Sequence, residues 1–226
     1  MRLPPVAFVR EPDTHRLVPS RYLHGDASVL GAVAADVDLQ AVLDLDAATN
    51  DRLIAADQRL PGIGLEELVF AVPNAEVVNA AFCHPHPLGA RFSGPERGAW
   101  YAGFELATSQ AEVAFHKTVQ LAEIDRFEDS VTYDDYLADF TATFHDLRRA
   151  RGLAACLDPR SYVASQALAE QLLRDGSLGV VYPSVRRRGG TCVACFRPAL
   201  VGNVRRGRTY RFTWHGRPRP TIAAVA

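Results

Sequence analysis

The sequence predicts an α+β fold rather than a doubly wound α/β fold. In the second half of the chain a short strand is followed by two helices and then by three strands, so strands and helices do not alternate. Neither a GxGxxG nor a Walker A sequence is present, so neither standard phosphate-binding loop is available. With 226 residues, 48% of them apolar and 23% charged, the chain can bury a full core and has the composition of an ordinary soluble globular protein.

The N-terminal section is predicted to be mainly helical. Apolar residues between 27 and 60 recur near helical spacing, which favours one or two helices, although Leu43-Asp44-Leu45 also suits a short strand. Pro61-Gly62 ends this region. A short amphipathic or extended piece follows at residues 66–72, and residues 76–82 suit either a strand or a short helix.

A linker is predicted at residues 83–89, where Pro85 and Pro87 restrict the backbone. It divides an N-terminal extension, residues 1–87, from a C-terminal domain, residues 88–226. We expect the extension to pack on the core of the C-terminal domain. Two such units agree with the usual domain size of roughly 150 residues.

The second section is predicted to contain two helices between its strands. Ser109 and Glu112 match a capping box, S-x-x-E, which predicts a helix that starts near Ser109 with Glu112 in its first turn. Another helix is predicted over residues 161–174, with Gly176 as its C-cap. The predicted strands are residues 99–102, 178–182, 191–196 and 208–214.

Charge is distributed unevenly along the chain, although the net charge is only −1. Residues 176–226 contain ten Arg and no Lys, Asp or Glu, whereas the first 175 residues hold 15 basic and all 26 acidic residues. Such asymmetry can mark an anionic ligand or a partner. The basic residues are spread over predicted strands without interleaved aromatic residues, so we expect nucleic acid to be contacted only through a partner.

The four cysteines do not form a pattern typical of a metal site. In a cytosolic chain they are expected to be reduced. The Cys192–Cys195 pair would need a second ligand pair to bind zinc, and Pro85 restricts the only candidate, Cys83-His84-Pro85-His86. We therefore expect no metal and expect the thiols of residues 192–196 to pack as small apolar groups in a strand.

The chain is expected to be cytoplasmic. Its longest apolar runs, such as residues 68–72, are too short to span a bilayer. Its N-terminus lacks the apolar segment of a signal peptide.

Four residues are candidates for chemistry, but each also has a structural interpretation. Arg91 suits a surface turn, and Tyr101 suits the core of a short strand. Glu112 suits the capping box and the positive end of a helix dipole, and Ser184 suits the end of a buried strand. Spacing alone favours the structural interpretation of each residue.

Taken in order, these residues resemble the RES domain, a family named for its Arg, Glu and Ser. Tyr101 follows Arg91 by ten positions and Glu112 follows it by 21, which fits the family's N-terminal motif. The resemblance covers about residues 88–200. The chain departs from the family in Phe92, where Trp is common, and in its long N-terminal section. The matching pieces are G-x-R-F at 89–92, W-Y at 100–101, A-E at 111–112, V-Y-P-S-V-R at 181–186 and G-G-T at 189–191.

The resemblance implies a fold and an activity. The implied fold is similar to that of the ADP-ribosyltransferases, with a twisted, split β-sheet core and flanking helices. The implied activity is that of a toxin from a bacterial toxin–antitoxin system. Such a toxin cleaves the nicotinamide–ribose bond of NAD⁺ by hydrolysis or phosphorolysis, depletes cellular NAD⁺ and inhibits growth. The alternative within the family is a mono-ADP-ribosyltransferase that modifies a protein target.

The resemblance also implies a partner, an Xre-type helix-turn-helix antitoxin that covers the active site. It leaves open whether the chain forms a homodimer. The alternative outside enzymes is a binding module whose basic C-terminal region grips nucleic acid or protein. Such binding would weaken steeply with salt.

The chemistry of this reaction assigns roles to the charged candidates. Nicotinamide leaves NAD⁺ as a neutral molecule, so the reaction needs no general acid. A carboxylate that stabilises the positive charge developing on the ribose helps instead, and we expect Glu112 to supply it. We expect Arg91 to bind the pyrophosphate through paired, charge-assisted hydrogen bonds, with Arg186 as a further phosphate ligand.

The remaining candidates are expected to hold the substrate in place. Tyr101 is expected to belong to the catalytic set and to hold the nicotinamide or the ribose with its ring or hydroxyl. Ser184 is expected to be a positioning group that hydrogen-bonds the substrate, since no upstream His is placed to activate it as a nucleophile. His116 follows Glu112 by four residues on the same helix face, and we leave it outside the catalytic set.

Overall fold

A computed structural model of the chain describes residues 3–22 and 62–225. Within these ranges the chain forms one mixed seven-stranded sheet with three α-helices, which confirms the predicted α+β class. The helices are α1 (Ala75–Cys83), α2 (Leu106–Glu123) and α3 (Val163–Arg174). The strands are β1 (Val6–Pro19), β2 (Trp100–Gly103), β3 (Glu128–Asp146), β4 (Gly179–Pro183), β5 (Thr191–Cys195), β6 (Gly202–His215) and β7 (Thr221–Ala224).

The sheet closes on itself because β1 pairs with β3 as well as with β2. The strand order is β1-β2-β5-β4-β3-β6-β7, and β1 also pairs with β3. Five strands, β1, β2, β5, β4 and β3, therefore form a closed ring of pairings, from which β6 and β7 extend. Only β3 and β4 run parallel, and the other pairs are antiparallel.

The N-terminal section contributes a strand to this ring. β1 pairs with β3 from Val6 to Pro19, with one irregularity between Glu11 and Thr14. The helices predicted between residues 27 and 60 lie outside the described residues. The division at residue 87 stays a prediction, but a cut there would remove β1 from the sheet.

The elements after residue 75 mostly agree with the sequence patterns. The ambiguous residues 76–82 are helical and lie in α1. Helix α3 ends in the predicted glycine cap, because Gly176 has a φ of +75° and its amide bonds the carbonyl of Leu173 at 3.1 Å. The amide of Ser177 bonds the carbonyl of Leu172 at 2.9 Å, which completes a Schellman motif.

Strand β3 was not predicted, although it is the longest strand. Its sequence contains five Asp residues, and Asp is depleted in strands. Two of them are buried and have partners on neighbouring strands. Asp134 accepts a 2.5 Å hydrogen bond from Thr209, and Asp135 lies 2.8 Å from the Nδ1 of His15. Long-range pairing thus satisfies carboxylates that local propensity alone disfavours.

The four cysteines are buried and free in the structure. Cys192 and Cys195 both lie in β5, and burial raises the pKa of both thiols, that of Cys195 to about 12. They pack in two different apolar clusters of the core. In the described ranges, no helix is both long and apolar enough to cross a membrane.

A partly buried carboxylate–guanidinium cluster, centred on the buried Arg97, fastens the segment before α1 to the end of β5. Arg97 donates to both carboxylate oxygens of Glu67 at 2.7 Å, and Arg197 donates to one of them at 2.7 Å. Arg97 also donates to the carbonyls of Gly62 and Phe196, at 2.7 and 2.8 Å. The hydrogen bonds from Arg97 are the main cause that lowers the pKa of Glu67 to about 2.

We predict that Glu67→Gln lowers the free energy of unfolding by about 2–3 kcal/mol, because it leaves the buried Arg97 without its charged partner. Urea unfolding at pH 7 measures this loss. The folded pKa of Glu67 lies below its unfolded value of about 4.3, so its contribution is present above that value and is lost as the pH falls toward 2. The two proteins should therefore converge in stability in acid. Glu66→Gln, an exposed neighbour, is the control and should change stability by less than about 0.5 kcal/mol.

Candidate functional site

Helix α2 carries the candidate carboxylate and begins earlier than predicted. It starts at Leu106, so the predicted capping box is wrong and Glu112 lies in the second turn. Ser109 does not cap the helix. Its Oγ donates to the carbonyl of His15 at 2.6 Å and accepts from the amide of Gly103 at 2.9 Å. These two bonds fasten α2 to β1 and β2, which fixes the direction of Glu112.

A short hydrogen bond joins Glu112 to Ser184. Ser184 follows the last residue of β4, and its Oγ donates to Oε1 of Glu112 at 2.6 Å. The same Oγ accepts hydrogen bonds from the amides of Arg186 and Arg187, at 3.1 and 3.0 Å. The Sγ of Cys192 lies 3.9 Å from Oε1 as a further weak donor. No hydrogen bond to Oε2 occurs within the described residues, so this oxygen faces no competing donor.

Arg91 is buried, with only 6% of its surface exposed, and forms no ion pair with an acidic residue in the described ranges. Its Nη1 donates to the carbonyls of Cys156 and Asp158, at 3.2 and 2.8 Å. The ring of Tyr162 lies 4.7 Å from its guanidinium carbon. Its Nη2 is buried without a hydrogen-bond partner among the described residues. An unpartnered buried N–H is costly, so this group is suited to receive an anion.

Arg186 has surroundings similar to those of Arg91. Its guanidinium carbon lies 3.4 Å from the ring centre of Phe115, and its Nη2 donates to the carbonyl of Pro159 at 2.7 Å. Its Nε is buried and has no hydrogen-bond partner in the part of the chain that the structure describes. The two guanidinium groups therefore meet consecutive carbonyls of one segment, at Asp158 and Pro159.

The hydroxyl of Tyr101 is engaged within the protein. It accepts a hydrogen bond from the amide of Phe92 at 2.9 Å and donates to the Oγ of Ser93 at 3.1 Å. Burial is the main cause that raises the pKa of Tyr101 to about 12, so the hydroxyl stays protonated. Tyr101 thus fixes the turn that follows Arg91, and its expected contact with the substrate stays a prediction.

His116 lies in this cluster, although the sequence interpretation left it outside the catalytic set. Its ring is 5.5 Å from that of Phe115. His116 has an exposed surface, but the surrounding atoms partly desolvate its ring. This desolvation is the main cause that lowers the pKa of His116 to about 4, and the positive charges of Arg186 and Arg91 add to it. His116 is therefore neutral at pH 7.

The structure brings the candidate residues Arg91, Glu112, Ser184 and Arg186 together around α2 and the ends of the strands. Sequence reasoning missed the two aromatic residues that support the arginines. Phe115 follows Glu112 by three residues on α2, so the two side chains lie on the same face of the helix. This spacing was the signal in the sequence that pointed to Phe115. Tyr162 carried no signal, because its contact with Arg91 spans 71 positions of the chain.

A cavity of about 390 Å³ lies beside the site, between the loop after Arg91 and helix α3. It does not include Glu112, Ser184 or the arginines of the site. Its walls include Phe92, Ser93, Gln166, Leu173 and Phe196. The described residues contain no group of three His, Cys, Asp or Glu side chains that would hold a metal ion.

Comparison with known proteins gives one clear result. The chain matches the family model of the RES domain over residues 68–215, a range that includes every candidate site residue. No curated protein matches it. Among solved structures, a chain of the M. tuberculosis MbcT–MbcA toxin–antitoxin complex is similar, with 13% sequence identity and a TM-score of 0.43, over 60% of this chain and 75% of the other.

We predict that Arg186→Gln raises the pKa of His116, because it removes a positive charge that disfavours the imidazolium. Titration of the imidazole ¹⁵N signals by NMR measures the pKa in the wild type and the variant. Arg208→Gln removes an equal charge from an exposed position on β6 and should leave this pKa unchanged. An unchanged or lowered pKa in the Arg186 variant would contradict the placement of this guanidinium beside His116.

Proposed function

The chain belongs to the RES-domain family, and on that premise we propose that it cleaves the bond between nicotinamide and ribose in NAD⁺. The observation that carries the proposal is the 2.6 Å hydrogen bond from Ser184 to Glu112. It holds a carboxylate whose second oxygen accepts no hydrogen bond within the described residues. The same site contains two arginines that form no ion pair with any of those residues. Such a site suits a substrate that carries phosphates and develops positive charge when it reacts.

Glu112 is the catalytic group in this proposal. When the bond between C1′ and the ring nitrogen breaks, its electron pair goes to the nitrogen, and nicotinamide leaves as a neutral molecule. The ribose is left with oxocarbenium character, which a nearby carboxylate stabilises. The oxygen of water, which releases a proton to the solvent, or an anionic oxygen of inorganic phosphate then bonds to C1′. The products are nicotinamide and either ADP-ribose or its 1″-phosphate.

Ser184 acts on Glu112 rather than on the substrate in this arrangement. Its hydrogen goes to Oε1, and its lone pairs receive the amides of Arg186 and Arg187. With its bonding capacity used in this way, Ser184 orients the carboxylate and leaves Oε2 for the ribose. This differs from the direct contact with substrate that the sequence suggested for Ser184.

The arginines supply the phosphate-binding part of the proposed site. Arg91 and Arg186 form no ion pair with any described residue, and each has a buried N–H without a partner. Guanidinium groups bind phosphate oxygens through charge-assisted hydrogen bonds. We therefore assign the pyrophosphate of NAD⁺ to this pair, with NAD⁺ as substrate and no metal in the reaction.

Loss of NAD⁺ would stop growth of the cell that contains the enzyme. We therefore propose that the chain acts in the cytoplasm as the toxin of a toxin–antitoxin pair. Its antagonist would be a helix-turn-helix antitoxin of the Xre type, as the family resemblance implies. Co-expression with the neighbouring reading frame, followed by a growth assay, tests this assignment.

We predict that Glu112→Gln lowers the rate of NAD⁺ loss at least about 100-fold, because the amide keeps the shape of the side chain but not its charge. Glu123→Gln makes the same change at the exposed end of α2 and should retain full activity. Thermal unfolding checks that both variants fold. Full activity of the folded Glu112 variant would overturn the mechanism.

We predict that Ser184→Ala lowers kcat about 10- to 100-fold with a smaller effect on KM, because it removes one hydrogen bond to a charged group. A rise in KM alone would instead indicate that Ser184 binds the substrate directly.

Product analysis by mass spectrometry, with and without added phosphate, identifies the acceptor. ADP-ribose indicates hydrolysis, and its 1″-phosphate, formed only when phosphate is present, indicates phosphorolysis. If label from adenylate-labelled NAD⁺ appears stably on a protein, the chain is a protein-modifying transferase rather than a hydrolase or a phosphorylase. No loss of NAD⁺ under any of these conditions would overturn the proposed function.

A further inference from the structure

One surface segment holds both arginines of the site. We call residues 156–162 the strap; it runs from the second half of the 3₁₀ turn Ala154–Leu157 to the residue before helix α3. The strap carbonyls of Cys156 and Asp158 accept from Arg91, at 3.2 and 2.8 Å, and that of Pro159 accepts from Arg186 at 2.7 Å. Its last residue, Tyr162, stacks on Arg91.

An aromatic ring covers one side of each guanidinium. Tyr162 lies 4.7 Å from the guanidinium carbon of Arg91, and Phe115 lies 3.4 Å from that of Arg186. A ring that lies over a planar cation attracts it and restricts its rotation. Carbonyl and ring together fix the orientation of each guanidinium, and they leave one N–H of each without a partner.

The spacing of the two cations follows from the backbone of the strap. Asp158 and Pro159 are consecutive residues, whose Cα atoms lie about 3.8 Å apart. Their carbonyls bind different guanidinium groups, so the two cations are held close together. The positive charges of both guanidinium groups also contribute to lowering the pKa of His116. Two cations that are fixed on consecutive residues present two separate donor groups, one for each phosphate of a linked pair.

The unpartnered N–H groups are covered in this unliganded arrangement. A phosphate reaches them only if part of their surroundings moves. Within the strap, Pro159, Arg160 and Ser161 are exposed. The amide of Arg160 donates to Asp158 inside the strap, and the Oγ of Ser161 accepts from the amide of Val163 at the start of α3. The middle of the strap is therefore the solvent-exposed part of the enclosure.

We propose that the strap and Phe115 form a diphosphate clamp, in which Tyr162 and Phe115 are positioning residues for Arg91 and Arg186. The clamp selects ligands with two linked phosphates over ligands with one. The inference rests on the proposed function only for the identity of the natural substrate, because diphosphate binding is measurable without any reaction.

Calorimetric titration of the purified protein with ADP and with AMP tests the clamp. We expect ADP to bind at least about tenfold more tightly than AMP, which corresponds to one additional charge-assisted contact. In Tyr162→Leu and in Phe115→Leu, we expect the ratio of the two affinities to fall toward one. Tyr162→Phe and Phe115→Tyr keep the ring and should keep the ratio of the wild type.

A charge-conserving variant separates positioning from net charge. Arg186→Lys keeps the positive charge but loses the planar group that stacks on Phe115, so we expect it to lose the preference for ADP as well. A change in folding alone would weaken the binding of ADP and of AMP together. The clamp instead predicts a change in the ratio of the two affinities. If the leucine variants fail to fold, this variant still decides the question.

The outcomes distinguish the clamp from the proposed reaction. Preference for ADP without NAD⁺ loss would support the clamp and overturn the reaction. Equal or absent binding of ADP and AMP by the wild type would overturn the clamp, even if NAD⁺ were cleaved. An undiminished preference for ADP in both leucine variants would also overturn it.

Discussion

The hydrogen bond between Ser184 and Glu112 is the interaction on which the site depends. It joins the end of β4 to the second turn of α2, two elements that approach only because the sheet and the helix pack together. A hydroxyl is a neutral donor, so it fixes the direction of the carboxylate without cancelling its charge. The backbone amides of Arg186 and Arg187 donate to this hydroxyl, so backbone groups fix the Ser184 side chain that orients Glu112.

This arrangement keeps opposite charges apart within one site. If Glu112 formed an ion pair with Arg91 or Arg186, both charges would be satisfied, and neither would be available to a substrate. Instead, neutral groups hold each charge: a hydroxyl holds the carboxylate, and carbonyls and aromatic rings hold the guanidinium groups. As a consequence, one buried N–H group of each arginine has no hydrogen-bond partner among the described residues. Such uncompensated charge is expected where a charged ligand completes the structure.

Sequence reasoning succeeded where local chemistry decides the structure and failed where distant contacts decide it. The cap at Gly176 and the strand at residues 191–195 follow from local patterns, and the ordered motif identified the family. The predicted start of α2 near Ser109 was wrong. Serine is a typical N-cap residue, but Ser109 bonds to β1 and β2 instead. Strand β3 was missed because its buried Asp residues find partners on β1 and β6, which no local pattern reveals.

The position of α2 also depends on a part of the chain that the family match does not include. The matched range begins at residue 68, whereas the carbonyl that holds Ser109 belongs to His15 in β1. His15 also pairs with Asp135 in β3 and meets Gly103 where β1 joins β2. One residue of β1 thus closes the ring of strands and anchors the helix that carries Glu112. The smallest unit that retains the geometry of the site therefore includes β1 as well as the matched domain.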